Sequence, residues 1–280
     1  MNRRALGLAV VVLAVLAGAP AAFADSTQSS NWAGYAVHRS GVRFSSVSGT
    51  WTQPRATCSG GRPTYSSVWV GLGGYRVNSP ALEQIGTEAD CTASGRAVSS
   101  AWYELVPQAS RTIGLTVNSG DRMRANVTVK GSEVWVTLAN LTRHRSFTKR
   151  MHASTFDTAS AEWILEAPSV CARAAGCQTL PLANFGSAGF TSAVAVAATG
   201  HRGTITDRRW TTTKIMLGAT GRQFVSDAAA STATATPSAL AANGSAFSLT
   251  YGPAAAPTAP IPAGRAVSDQ LARPELSPTS

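Results

Sequence analysis

The sequence has 280 residues, of which 24 are basic and 14 acidic, giving a net charge of +10, and it has four cysteines. Such a balance suits an anionic surface or an acidic substrate, or simply keeps the protein in solution. Beyond the first 24 residues no run reaches the roughly 18 apolar residues that a membrane-spanning helix needs, which excludes a helical membrane span.

Met1-Asn2-Arg3-Arg4, an apolar run from Ala5 to Leu16 and the ending Ala22-Phe23-Ala24 read as a secretory signal peptide cut after Ala24. The mature protein is therefore expected to be secreted and extracellular. The cut removes two arginines and leaves 22 basic against 14 acidic residues, a net +8. Four cysteines in an exported chain imply two disulfides. Cys171 with Cys177 would close a small loop. That leaves Cys58 with Cys91, a pairing that spacing alone leaves open.

From Asn31 to Tyr251 the pattern is that of β-strands. Strand candidates are 33–38, 42–52, 64–72, 81–87, 98–106, 112–118, 145–151, 182–186, 189–197, 213–217 and 245–251. Met123, Ala125, Val127 and Val129 alternate with Arg122, Arg124, Asn126, Thr128 and Lys130, and Val134, Val136 and Leu138 repeat the alternation. Gly131-Ser132 between them marks a hairpin turn. Ser160–Glu166 is a further strand, stopped by Pro168, with Glu162, Ile164 and Glu166 on one face and Trp163 and Leu165 on the other.

The only helix-friendly composition lies in 228–242, where Pro237 and interleaved threonines predict a loop. Many short strands with no helical spacers predict an all-β fold, a sandwich of two large antiparallel sheets of concanavalin or jelly-roll type. It would occupy residues 25–252. After it, 253–280 is a Pro/Ala/Ser/Thr-rich tail whose composition is that of a disordered segment.

Several chemistries lack their residues. There is no Gly-x-Ser-x-Gly elbow and no His-Glu-x-x-His, and the cysteines are better used in disulfides than on zinc. His38, His144, His152 and His201 are scattered among basic or polar residues. Glu162 and Glu166, about 13 Å apart along a strand, are too distant for a glycosidase pair, which needs roughly 5 to 9.5 Å. The arginines at 122, 124, 143, 145 and 150 have no interleaved aromatics, so they read as a solvated face rather than a nucleic-acid surface.

Seven short motifs occur in order. They are Asn31-Trp32-Ala33-Gly34-Tyr35, Gly49-Thr50-Trp51-Thr52-Gln53-Pro54, Ser67-Val68-Trp69-Val70-Gly71-Leu72 and Leu82-Glu83-Gln84-Ile85-Gly86-Thr87, then Ala101-Trp102-Tyr103-Glu104, Ala161-Glu162-Trp163-Ile164-Leu165-Glu166 and Ala183-Asn184-Phe185-Gly186. Together they resemble the eqolisins, the glutamic peptidases of family G1, over about residues 31–251. The resemblance implies a secreted endopeptidase with a Gln84/Glu166 dyad, substrate contacts from Trp69 and Tyr103, and no cofactor or metal. It also implies polypeptide substrates, no nucleic-acid partner and a monomer.

The chain departs from the fungal pattern in carrying Gly73 where many fungal members have Asp, in its basic charge, and in having only Asp25–Ser30 where a prosegment would stand. A reading from another class is a non-catalytic β-sandwich that holds peptide or carbohydrate in an aromatic groove.

Overall fold

The computed structural model describes residues 25–76, 78–172, 176–219 and 233–253. The signal-peptide and tail segments lie outside these residues. The strands are β1 (Asp25–Ser29), β2 (Trp32–His38), β3 (Phe44–Thr52), β4 (Ser67–Gly73), β5 (Leu82–Cys91), β6 (Ala97–Val106), β7 (Arg111–Ile113), β8 (Arg122–Lys130) and β9 (Glu133–Asn140). They continue as β10 (Arg145–His152), β11 (Ser160–Glu166), β12 (Ser169–Ala172), β13 (Gly176–Thr179), β14 (Ser187–Ala197), β15 (Arg202–Thr204), β16 (Thr211–Leu217), β17 (Thr234–Pro237) and β18 (Phe247–Gly252). No helix occurs among the described residues.

The all-β expectation agrees with these elements, but two separate large sheets do not form. One hydrogen-bonded path runs unbroken in the order β10-β9-β8-β3-β14-β18-β17-β16-β2-β11-β4-β5-β6-β7, with β1 attached to β16 and β15 to β14. The resulting 16-stranded sheet curls almost into a barrel, and β12 and β13 form a separate two-stranded ladder. The jelly-roll sandwich fails at β2, β16, β17 and β18. There a sandwich would leave open edges, whereas here β2 pairs with β16 and β17 pairs with β18. Pairing satisfies backbone groups that an open edge would expose.

Residues 234–237, expected as loop, form β17. Pro237 ends that strand, where its missing N–H interrupts nothing further along. β1 was not foreseen either, and it pairs parallel to β16.

The inner face of the curled sheet is the main core. On β8 and β9 the alternation works as read: Met123, Ala125, Val127, Val134, Val136 and Leu138 are buried there, while Arg122, Arg124 and Lys130 face water. Gly131, with φ of 60°, makes the connecting turn in the left-handed region that glycine tolerates. Opposite them lie Val68, Val70 and Leu72 of β4, Ile85 of β5, and Trp163 and Leu165 of β11. Two indoles tie the halves together. Trp163 Nε1 donates to the Ser48 carbonyl at 2.8 Å and Trp51 Nε1 to Thr87 Oγ1 at 3.0 Å, so neither buried N–H is left unmatched.

Because Trp163 and Leu165 turn inward, Glu162, Ile164 and Glu166 face the other side of the sheet. A second apolar cluster lies on that side, made by Trp32, Ala36, Trp69, Tyr75, Leu82, Trp102, Ile164 and Ile215. This opposite face of β2, β11, β4, β5 and β6 carries the candidate site.

Candidate active site

The strand register brings the residues together. Glu166 of β11 stands opposite Trp32 of β2 and Ser67 of β4, and Ile164 stands opposite Trp69. One strand further, Trp69 is opposite Gly86, and Gly86 is opposite Trp102. Gly86 has to be glycine, since a Cβ there would come within 2.3 Å of the Val68 carbonyl and 2.6 Å of Trp69 Cβ. Gly34, opposite Ile164, has φ of 146° and a Cβ position only 2.0 Å from the Trp163 carbonyl. The two glycines let strands and indoles approach closely beneath the site.

Glu166 is ringed by donors. Trp69 Nε1 donates to its Oε2 at 2.8 Å and Asn31 Nδ2 to its Oε1 at 3.1 Å. Trp32 lies edge-on to Trp69, with ring centres 5.0 Å apart, and also stabilises the ionised carboxylate. Asn31 is itself oriented, because Ser29 Oγ donates to its Oδ1 at 3.2 Å and so turns the Nδ2 group toward Glu166. Part of Glu166 remains open to solvent, while Trp69 is wholly buried.

Gln84 is buried, at 4% exposure, and its Nε2 donates to Glu104 Oε2 at 2.7 Å. Gln84 Oε1 is buried and has no hydrogen-bond partner. Glu104 faces Gln84 directly across the β5–β6 ladder. Burial raises the pKa of both Glu104 and Glu166, and the charge of Glu104 adds to the rise at Glu166. The hydrogen bonds from Trp69, Trp32 and Asn31 oppose it at Glu166, and those from Gln84 and the Ser110 backbone oppose it at Glu104. Gln84 and Glu166 are not directly hydrogen-bonded, and Glu104 is the group in contact with one and in electrostatic reach of the other.

Other expected positions fall elsewhere. Tyr103 lies on the opposite face of β6 from Trp102 and Glu104, within the main core, stacked on Phe147 at 5.9 Å with Lys149 Nζ 5.5 Å from its ring. Glu162 is wholly buried with both carboxylate oxygens unbonded, as is Glu83. Burial pushes the pKa of each upward, and the charge of nearby Asp157 adds to both. Gly73 packs on Asp157: a Cβ at Gly73 would sit 2.6 Å from Asp157 Cβ. A carboxylate thus occupies this corner although residue 73 has none.

Cys58 and Cys91 are joined, with Cα atoms 5.4 Å apart. Cys177 is also disulfide-bonded, and the β12–β13 register sets it opposite Cys171, whose side chain lies outside the described residues. Among the described residues no group of three or more His, Cys, Asp or Glu side chains is placed to hold a metal ion. A groove of about 590 Å³ lies elsewhere, between Thr50, Gln53, Arg122, Phe190 and Leu240, and contains none of the site residues.

Asn31, Trp32 and Glu104 stand in the motifs but were not read as site residues. For Glu104 the signal was alternation: in Trp102-Tyr103-Glu104 the glutamate and the tryptophan share a face and the tyrosine does not.

Among solved structures the chain superposes on scytalido-glutamic peptidase bound to a transition state analog inhibitor, with a TM-score of 0.61 and 25% identity, covering 79% of this chain and 98% of that one. It is also similar to SCP-B, a member of the Eqolisin family of peptidases in a complex with the tripeptide Ala-Ile-His, with a TM-score of 0.58, 22% identity and coverage of 79% and 98%. For aspergilloglutamic peptidase from Aspergillus niger the TM-score is 0.50 at 25% identity, with coverage of 67% and 99%. No curated protein sequence matches the chain. The family model described as the Peptidase A4 family matches residues 30–236, most of the chain. With that match and those folds, the chain belongs to the Peptidase A4 family, the eqolisins or glutamic peptidases.

Proposed function

We propose that this glutamic endopeptidase, acting in acid, cuts polypeptides with Glu166 as general base and Gln84 as the group that positions water and stabilises the oxyanion. The observation that carries this reading is the donor ring on Glu166. Every named partner of its carboxylate is an N–H, so these hydrogen bonds favour the ionised form that can accept a proton, against the rise in pKa that burial and the Glu104 charge impose.

In the reaction Glu166 takes a proton from water, and the water oxygen bonds to the scissile carbonyl carbon. The carbonyl oxygen becomes an oxyanion, held by an N–H of Gln84. As the intermediate collapses, the C–N bond breaks and Glu166 returns the proton to the leaving amine. Gln84 is neutral, so it adds no charge next to the developing oxyanion. The protein acts outside the cell as a monomer, and residues 1–24 direct its export.

The test is the initial rate of cleavage of one peptide by purified variants, with circular dichroism to check the fold. Glu166→Gln keeps shape but removes the base, and its rate should fall by about 10² to 10⁴. Gln84→Ala should lose about 10² to 10³. The double variant should lose less than the product of the two, because both act on one intermediate. Near-normal rates for Glu166→Gln would refute the assignment.

A further inference from the structure

Gln84 is an amide, and an amide can present either of two ends. Rotation about its last side-chain torsion exchanges the oxygen and the NH2 group with little change in shape. What decides between the two is the hydrogen bond each makes, and at Gln84 that bond runs to Glu104. We infer that Glu104 is a positioning residue that controls which end of Gln84 faces the substrate, locking the acceptor end outward when ionised and releasing the donor end when protonated. This rests on the role proposed above for Gln84.

The geometry supplies both halves of the device. An ionised carboxylate only accepts, so a charged Glu104 can hold Gln84 in one orientation alone, with Nε2 toward Glu104 Oε2 at 2.7 Å. In that orientation Gln84 Oε1 is buried and without a partner, an arrangement that is ordinarily unfavourable. A protonated Glu104 has an O–H to give. The amide can then turn so that Oε1 accepts from Glu104, which satisfies the buried oxygen. Both N–H groups of Nε2 are then left for the oxyanion. Protonation also removes a negative charge from beside the atom on which the reaction builds one.

The groups around Glu104 favour this proton's being held in acid and lost toward neutrality. On β5 it meets the neutral Gln84, and on the segment before β7 the Ser110 backbone. On β11 Glu166 is within electrostatic reach. Arg111 of β7 stands opposite Tyr103, not Glu104, and among the described residues no cation forms an ion pair with Glu104. Two carboxyls coupled in this way lose their protons in two steps that belong to the pair. Trp69 and Asn31 donate to Glu166 at 2.8 and 3.1 Å, whereas the side-chain donor on Glu104 is Gln84 alone. The donors therefore favour holding a single shared charge on Glu166, against burial and the Glu104 charge, which raise its pKa. The singly ionised pair is then the working state, with base and oxyanion donor both ready. Loss of the second proton turns Gln84 round. A neutral amide acquires a pH dependence from its neighbour.

The experiment compares kcat against pH for the parent and Glu104→Gln, together with the side-chain amide signals of Gln84 in the ¹⁵N-labelled parent, assigned by their loss in Gln84→Ala. In the parent, kcat should fall about tenfold per pH unit above the second ionisation. The Gln84 amide signals should shift with the same midpoint. Glu104→Gln cannot ionise, so its rate at about pH 4 should stay within roughly tenfold of the parent while the fall at higher pH disappears.

An unmoved fall in Glu104→Gln, or Gln84 signals that stay constant through it, would overturn the inference. The amide signals are read on the parent, so they decide the matter even if the variant does not fold. If Gln84→Ala instead kept the full rate, the role of Gln84 itself would fail, a separate outcome.

Discussion

Glu83 offers a test of how burial sets the pH range of the fold. It is fully buried, neither carboxylate oxygen is hydrogen-bonded, and its pKa is raised from 4.5 to about 8, chiefly by burial, with the Asp157 charge adding to the rise. Below pH 4.5 the folded and unfolded states are both protonated and Glu83 takes nothing from stability. As pH rises from 4.5 toward about 8 the unfolded chain releases this proton and the folded one keeps it, so stability falls with rising pH, and it levels off above the folded pKa.

The interval between the two values corresponds to about 5 kcal/mol at 1.36 kcal/mol per pH unit. That is comparable with the whole stability of many domains, about 5–15 kcal/mol. For a domain of this size it amounts to roughly 10–20 °C in Tm.

Glu83→Gln keeps the volume and cannot ionise. Thermal unfolding followed at a series of pH values between about 4 and 8 should show the parent losing most of this Tm and the variant losing distinctly less. Glu162, buried in the same way, leaves the variant a residual slope. Parallel Tm curves for parent and variant would refute the reasoning, since Glu83 would then titrate alike in both states.

Two other perturbations address the site and its frame. Trp69→Phe removes an N–H from the Glu166 carboxylate, so the Glu166 pKa should rise by about one unit, and the acid side of the kcat profile should move up in pH with it. Replacing Cys58 and Cys91 by serine opens a link between positions 33 residues apart, and urea unfolding should report a loss of about 3–4 kcal/mol.

Local structure was legible where period-two alternation met a clear turn. β8, β9 and the face assignments of β11 follow from side chains alone, because a one-residue slip would expose every apolar member. The closure of the sheet was not legible. It depends on β2 meeting β16, whose partners such as Gly34 and Ile215 lie far apart in sequence, and alternation says which face a residue takes but not which edge its strand meets. β17 was missed because Pro237 and the interleaved threonines read as loop, yet a strand of four residues tolerates proline at its end.

At the site, the motifs marked Glu166, Gln84 and Trp69, all of which lie on one face. Tyr103 shows the limit of carrying a motif over without its alternation, for its neighbours Trp102 and Glu104 take the site face and it takes the core. Alternation gives Glu104 its face, but its partner became visible only through register, which sets it against Gln84 across two antiparallel strands joined by the short turn 92–96.

The sheet path has two ends, β10 and β7, and each is protected differently. β7 is three residues long, too short to template a neighbour. β10 is eight residues long but carries exposed Arg145 and Lys149. Were two molecules to align these borders, like charges would meet across the new ladder. A wide β-surface is thereby kept from growing sideways into a polymer by repulsion rather than by a cap. That safeguard weakens with ionic strength, since exposed charges are screened beyond about 10 Å in 0.1 M salt. Concentrated salt is therefore the condition under which this molecule would begin to associate along β10.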